Sequence, residues 1–131
     1  MIIKLGIDLH GVIDSNIYKF KNYLLASREI GIHICIISGP PVSFIQEELD
    51  NYGIVNGIHF NEIFSVVDFL KRNGTKMWYD EKGRPWASDE DWWASKAKIC
   101  KLNLIDIMID DSIRYMTCFE NISTKFFLYK P

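Results

Sequence analysis

Short runs of branched aliphatic residues that stop on polar side chains, alternating with stretches at helical spacing, constrain this chain most. Ile2 to Ile7 is apolar and β-branched and reads as a buried strand; it stops at Asp8-Leu9-His10-Gly11-Val12. His33 to Ile37 is a second run and stops at Ser38-Gly39. Ile105 to Ile109 stops at Asp110-Asp111, and Ile58 to Phe64 and Thr124 to Tyr129 are further candidate strands. Between them, Ile17, Phe20, Leu24 and Ser27 recur at helical spacing, with Ser15 as a cap and Gly31 as a stop. Pro40-Pro41 suits the start of a helix, where a missing N–H is harmless, and Phe44, Ile45, Leu49 and Tyr52 follow as its apolar positions. Val66 to Arg72 reads as a short helix. Strands alternating with helices predict a mostly parallel sheet covered on both faces, a three-layer α/β fold.

One stretch breaks the alternation. Met77-Trp78-Tyr79 and Arg84-Pro85-Trp86 flank a Gly-containing turn, which predicts a β-hairpin. Ser88 with Asp91 resembles a capping box that opens the next helix. All four tryptophans, Trp78, Trp86, Trp92 and Trp93, fall in this part. They can form an aromatic mini-core that fastens the hairpin to the body. The alternative is that residues 75–93 form a small cap in which Trp78 or Trp86 stacks on a base or another flat substrate group. The expected architecture is one Rossmann-like domain over residues 1–131 with this hairpin inserted.

At 131 residues a single domain is expected. Hydrophobic residues make up 48% of the chain, enough for a core. A net charge of −2 argues against bulk electrostatic binding to nucleic acid, although Lys71, Arg72 and Lys76 can line a local basic groove. Cys35, Cys100 and Cys118 show no paired spacing, so neither a disulfide framework nor a zinc site is expected. No signal peptide is visible, and no apolar run reaches the roughly 18 residues of a membrane span. The expectation is a cytoplasmic protein with no membrane partner. Oligomeric state is not legible.

The strand ends carry the chemistry. Carboxylates gathered at the carboxyl edge of an open α/β sheet lie where such sheets bind ligands, and they repel one another unless a cation holds them; Mg²⁺, with its preference for hard oxygen ligands, suits such a place. Simpler roles exist for each residue. Asp8 can be a turn residue, Ser38-Gly39 an ordinary turn, and Asp110-Asp111-Ser112 a helix cap. Lys96 discriminates best. On a helix over Asp89 to Leu102, Lys96 shares a stripe with Trp92, Trp93, Ala97, Ile99 and Cys100, while Lys98 lies nearly opposite. A lysine on a buried face needs a partner, unless it snorkels to solvent. His33 and His59 lie in or beside predicted strands and read as structural.

The order Asp8-x-His10-Gly11-Val12, then Ser38, then Lys96, then Asp110-Asp111, resembles the four motifs of the haloacid-dehalogenase-like superfamily, over nearly the whole chain. The resemblance implies a Mg²⁺-dependent phosphohydrolase, a phosphomonoesterase working through an aspartyl-phosphate on a small phosphorylated substrate such as a nucleotide. Asp8 would be the nucleophile. Ser38, with Gly39, and Lys96 would hold the phosphoryl group. Asp8, Asp110, Asp111 and the His10 carbonyl would face the metal. His10 is the departure, since the family's phosphatases usually carry a second Asp there as general acid–base. Imidazole can do that work near neutral pH; alternatively His10 marks a weakened activity and a phosphate- or metal-binding module. A nucleic-acid end phosphatase is a further alternative.

Overall fold

A computed structural model describes residues 1–131. In chain order the elements are β1 (Lys4–Ile7), α1 (Ile17–Glu29), β2 (His33–Ser38), α2 (Val42–Asn51), β3 (Glu62–Ser65), α3 (Val66–Arg72), β4 (Met77–Tyr79), β5 (Pro85–Ala87), α4 (Asp89–Leu102), β6 (Ile107–Asp110), α5 (Ile113–Met116) and β7 (Lys125–Leu128). Five strands form one sheet in the order β3-β2-β1-β6-β7, and every pairing is parallel. Counted among themselves these strands run 3-2-1-4-5, the doubly wound order in which the chain reverses direction beside the first strand. The expected three-layer α/β architecture is therefore present.

β2 explains the two layers of core. Its side chains alternate, so Ile34 and Ile36 pack on one face with Phe20, Leu24 and Ile45, from α1 and α2. Cys35 and Ile37 pack on the other with Val66, Leu70 and Ile99, from α3 and α4. A strand buried on both faces reads as a continuous apolar run. Gly6 sits at the centre of β1 on the second face. A Cβ there would come within 2.8 Å of Met108 Sδ and 2.9 Å of Ile37 Cδ1, so only glycine lets these neighbours close over the strand.

Three local expectations need correcting. The cap of α1 is Asn16, whose side chain accepts from the Lys19 N–H at 3.1 Å. Ser15 instead belongs to a 3-10 turn and donates to the Val12 carbonyl. The third strand begins at Glu62 and not at Ile58, because Gly57 turns at φ 86° and Asn56 bridges to Phe60 in a compact loop. Phe44 does not join the core stripe of α2: it is 62% exposed, whereas Ile45 and Leu49 are buried.

The hairpin forms as expected, with Trp78 opposite Trp86, and it is a separate two-stranded sheet between α3 and α4. Ser88 caps α4 by accepting from the Asp91 N–H at 3.1 Å. No helix is long and apolar enough to cross a membrane.

Candidate active site at the carboxyl edge of the sheet

β1 and β6 are neighbours, with Ile7 level with Ile109. The next residue of each strand, Asp8 and Asp110, therefore emerges at the same height on the switch-point side of the sheet. Asp8 shares a face with Gly6 and Asp110 with Met108, which is the face that α4 covers. Lys96 comes down from that helix between them. Its Nζ lies 2.5 Å from Asp110 Oδ2 and 3.2 Å from Asp8 Oδ1. All three side chains are nearly inaccessible to solvent. Lys98, two residues on, is exposed.

Burial dominates the electrostatics. Desolvation pushes the Asp8 carboxyl up to about 6, with Lys96 working against the rise and Asp110 adding to it. For Lys96, desolvation alone would lower proton affinity, but Asp8 and Asp110 more than reverse it and hold the ammonium charged. The lysine also lies over the Tyr115 ring, 4.5 Å from its centroid. Tyr115 has no counterpart among the residues singled out from the sequence. A neutral aromatic after a strand carries no chemical signal, and only the fold brings it beside Lys96. Burial keeps its hydroxyl protonated, at about 12.

Asp111 completes a group of three carboxylates. Ligand atoms of Asp8, Asp110 and Asp111 all lie within 4.8 Å of one another. Three oxygen-donor carboxylates grouped in this way are the kind of ligand that a small hard cation such as Mg²⁺ takes. The Asp111 carboxylate rests on the backbone of Gly11: a Cβ there would come 2.0 Å from its Oδ2, and Gly11 turns at φ 90°. Burial, and then the Asp110 charge, raise the Asp111 carboxyl. Asp110 Oδ1 also accepts the Ser112 N–H at 2.9 Å, and Ser112, which precedes α5, makes no side-chain capping bond.

Ser38 ends β2 beside this group. Its hydroxyl is buried and has no hydrogen-bond partner, although it lies near enough to Asp8 to favour the carboxylate slightly. A buried hydroxyl without a partner is costly and is suited to a ligand oxygen. Gly39 follows, and the Trp92 ring lies against it, 3.4 Å from where a Cβ would stand.

The His10 side chain does not join the three carboxylates. Its Nε2 lies 2.8 Å from Glu48 Oε1 on α2, and the pair is solvent-accessible. Asp14 stands beside them, anchoring the loop by accepting the Gly11 N–H at 2.7 Å. Glu48 went unnoticed in the sequence because 38 positions separate it from His10.

The two hairpin tryptophans part company. Trp86 lines a cleft of about 570 Å³ that reaches Gly39 and Trp92, and Trp78, half exposed, does not line it. The suggested basic groove also divides, with Lys71 in this cleft and Arg72 in a smaller cavity of about 250 Å³.

No family model matches this chain, and no curated protein is significantly similar to it. Among solved structures, an uncharacterized protein from Corynebacterium glutamicum is similar, with a TM-score of 0.57 and 15% sequence identity. The match covers 98% of this chain and 85% of that one, and it extends the likeness of fold to nearly every element described above.

Proposed function

We propose that this chain is a Mg²⁺-dependent phosphohydrolase of the haloacid-dehalogenase-like kind, acting on a small phosphomonoester through Asp8. The observation that carries the reading is Lys96 buried between Asp8 and Asp110 at adjacent strand ends. A cation in that position neutralises both the attacking carboxylate and the oxygens of a transferring phosphoryl group.

In the first step an Asp8 oxygen forms a bond to phosphorus while the bond to the leaving-group oxygen breaks. That oxygen takes a proton and departs. Water then attacks the aspartyl-phosphate, releasing inorganic phosphate and restoring Asp8. Ser38 donates its free hydroxyl to a phosphoryl oxygen. Asp8, Asp110 and Asp111 would hold Mg²⁺, which supplies positive charge against the phosphoryl oxygens when bound. His10 would supply the proton and later receive one from water once its imidazole turns from Glu48, which holds it on the α2 side in this structure.

A second reading has one observation in its favour: Glu48 holds His10 on the α2 side of the loop, away from the three carboxylates. On that reading the site binds phosphate and metal without turnover.

Phosphate release from a panel of phosphorylated metabolites, with and without Mg²⁺, separates the two. Metal-dependent release by wild type that disappears in Asp8→Asn is expected. Phosphate and Mg²⁺ binding without release from any panel member would leave the binding module.

A further inference from the structure

The cleft beside the site has a chemical character of its own. Three rings, from Trp86, Trp92 and Tyr79, line it together with the exposed ring of Phe44. Its charged side chains are Lys71, Lys82 and Arg84, and no carboxylate lines it. Arg84 is neutralised from behind by Asp80 at 2.7 Å. Lys71 and Lys82 have no carboxylate partner. A chain of net charge −2 thus keeps two uncompensated cations in this cleft.

Trp86 is fixed and yet open. Its indole N–H donates to Asp80 Oδ2 at 2.9 Å, Arg84 lies over its ring, and it leans against Trp92 with centroids 6.0 Å apart. It nevertheless remains 40% exposed. An aromatic ring held still and partly exposed can serve as a stacking platform that loses little entropy when it binds.

The cleft is also placed to serve the acidic site. Gly39, on its floor, follows Ser38. Trp92, in its wall, precedes Lys96 by one turn of α4, about 6 Å along the axis. A ring lying against Trp86 and Trp92 is therefore one helical turn from a phosphoryl group at Asp8 and Lys96. The volume is that of a small-molecule site.

We infer that this cleft binds the leaving group of the substrate, and that the leaving group carries a flat aromatic ring and a second negative charge. The ring stacks on Trp86 and Trp92, and Lys71 and Lys82 take the charge. A phosphorylated nucleotide with a further phosphate fits this description. The role of the cleft rests on the phosphohydrolase reading, but its affinity for a ring does not.

The test uses Asp8→Asn, which cannot form the aspartyl-phosphate, with Mg²⁺ present. Calorimetry gives affinities for adenosine, glycerol 1-phosphate, adenosine 5′-monophosphate and adenosine 3′,5′-bisphosphate. Affinity is expected to rise about tenfold from glycerol 1-phosphate to the monophosphate, the scale of one stacked base, and to rise again for the bisphosphate. Adding Trp86→Ala weakens all three adenosine compounds about tenfold and leaves glycerol 1-phosphate unchanged. Trp86→Phe retains most of the affinity. Lys71→Ala weakens the bisphosphate alone, and Trp78→Ala, outside the cleft, alters none. Equal affinity for glycerol 1-phosphate and the monophosphate would overturn the inference, as would a Trp86→Ala that weakens every probe alike. Adenosine binding that needs Trp86, in a protein that binds neither glycerol 1-phosphate nor inorganic phosphate, would leave a ring site and overturn the phosphohydrolase reading instead.

Discussion

Two carboxylate–cation groups in this molecule use similar chemistry to opposite effect. On the hairpin, Asp80 accepts the backbone N–H groups of Lys82 and Arg84 on one oxygen, and Arg84 Nε and Trp86 Nε1 on the other. The Trp86 bond, and then the Arg84 backbone, hold its carboxyl well below the usual range. At the sheet edge, Asp8 has a buried ammonium at 3.2 Å and yet is pushed upward, because dehydration outweighs that attraction. In the hairpin four donors reach one carboxylate near water, where the charge costs little. At the sheet edge two buried carboxylates share one cation. The first arrangement fixes a turn; the second leaves an excess of buried negative charge.

Lys96 is where this contrast should break most visibly. Lys96→Met keeps much of the side-chain volume but leaves two buried carboxylates without a cation, a change that costs about 3–5 kcal/mol. Denaturant unfolding should show that loss, and inorganic phosphate binding should vanish with it. A loss under about 1 kcal/mol would mean that water already reaches the group.

The next effect depends on pH. Asp8 binds its proton more tightly folded than unfolded, so its ionisation opposes folding. The opposition is absent below pH 3.8, grows between there and about 6, and is complete above. Asp8→Asn should therefore stabilise the metal-free protein above that window, by on the order of 1 kcal/mol, and bring no such gain below it. Saturating Mg²⁺ should reduce the difference by stabilising wild type, and a chelator should bring it back. A gain of equal size at both ends of the window would show that the Asp8 carboxyl binds its proton no more tightly folded than unfolded.

The hairpin should respond locally. Asp80→Asn is expected to speed amide exchange across residues 77–87 and shift tryptophan emission, while inorganic phosphate binding and global unfolding change little. Loss of phosphate binding would show that the turn and the sheet edge are one unit. The smallest effect belongs to Lys98→Ala, on the exposed side of α4: within about 0.5 kcal/mol, with phosphate binding unchanged.

What the sequence reveals follows the range of each interaction. Burial of Lys96 is legible because helical geometry places it among Trp92, Trp93 and Cys100 whatever the helix packs on. The doubly wound alternation is legible from runs such as His33 to Ile37, since a strand covered on both faces has no polar positions. The start of β3 at Glu62 is not, because Ile58 and Phe60 look like strand residues while Gly57 turns the chain. Ser15 and Asn16 are both good caps, and the preceding 3-10 turn decides between them. The pairing of His10 with Glu48, the packing of Tyr115 against Lys96 and the turning of Phe44 toward the cleft all depend on which helix lands beside which strand.

Lys96 also bears on what this fold needs from outside the chain. With its own ammonium at the meeting point of β1 and β6, the chain carries an internal counter-ion for the carboxylates that the fold forces together. Asp8 can keep its proton as a further reserve until the pH or a ligand removes it. The two carboxylates can thus be buried side by side with no ion from outside the chain. A cation supplied by the polypeptide makes the sheet edge electrostatically self-sufficient.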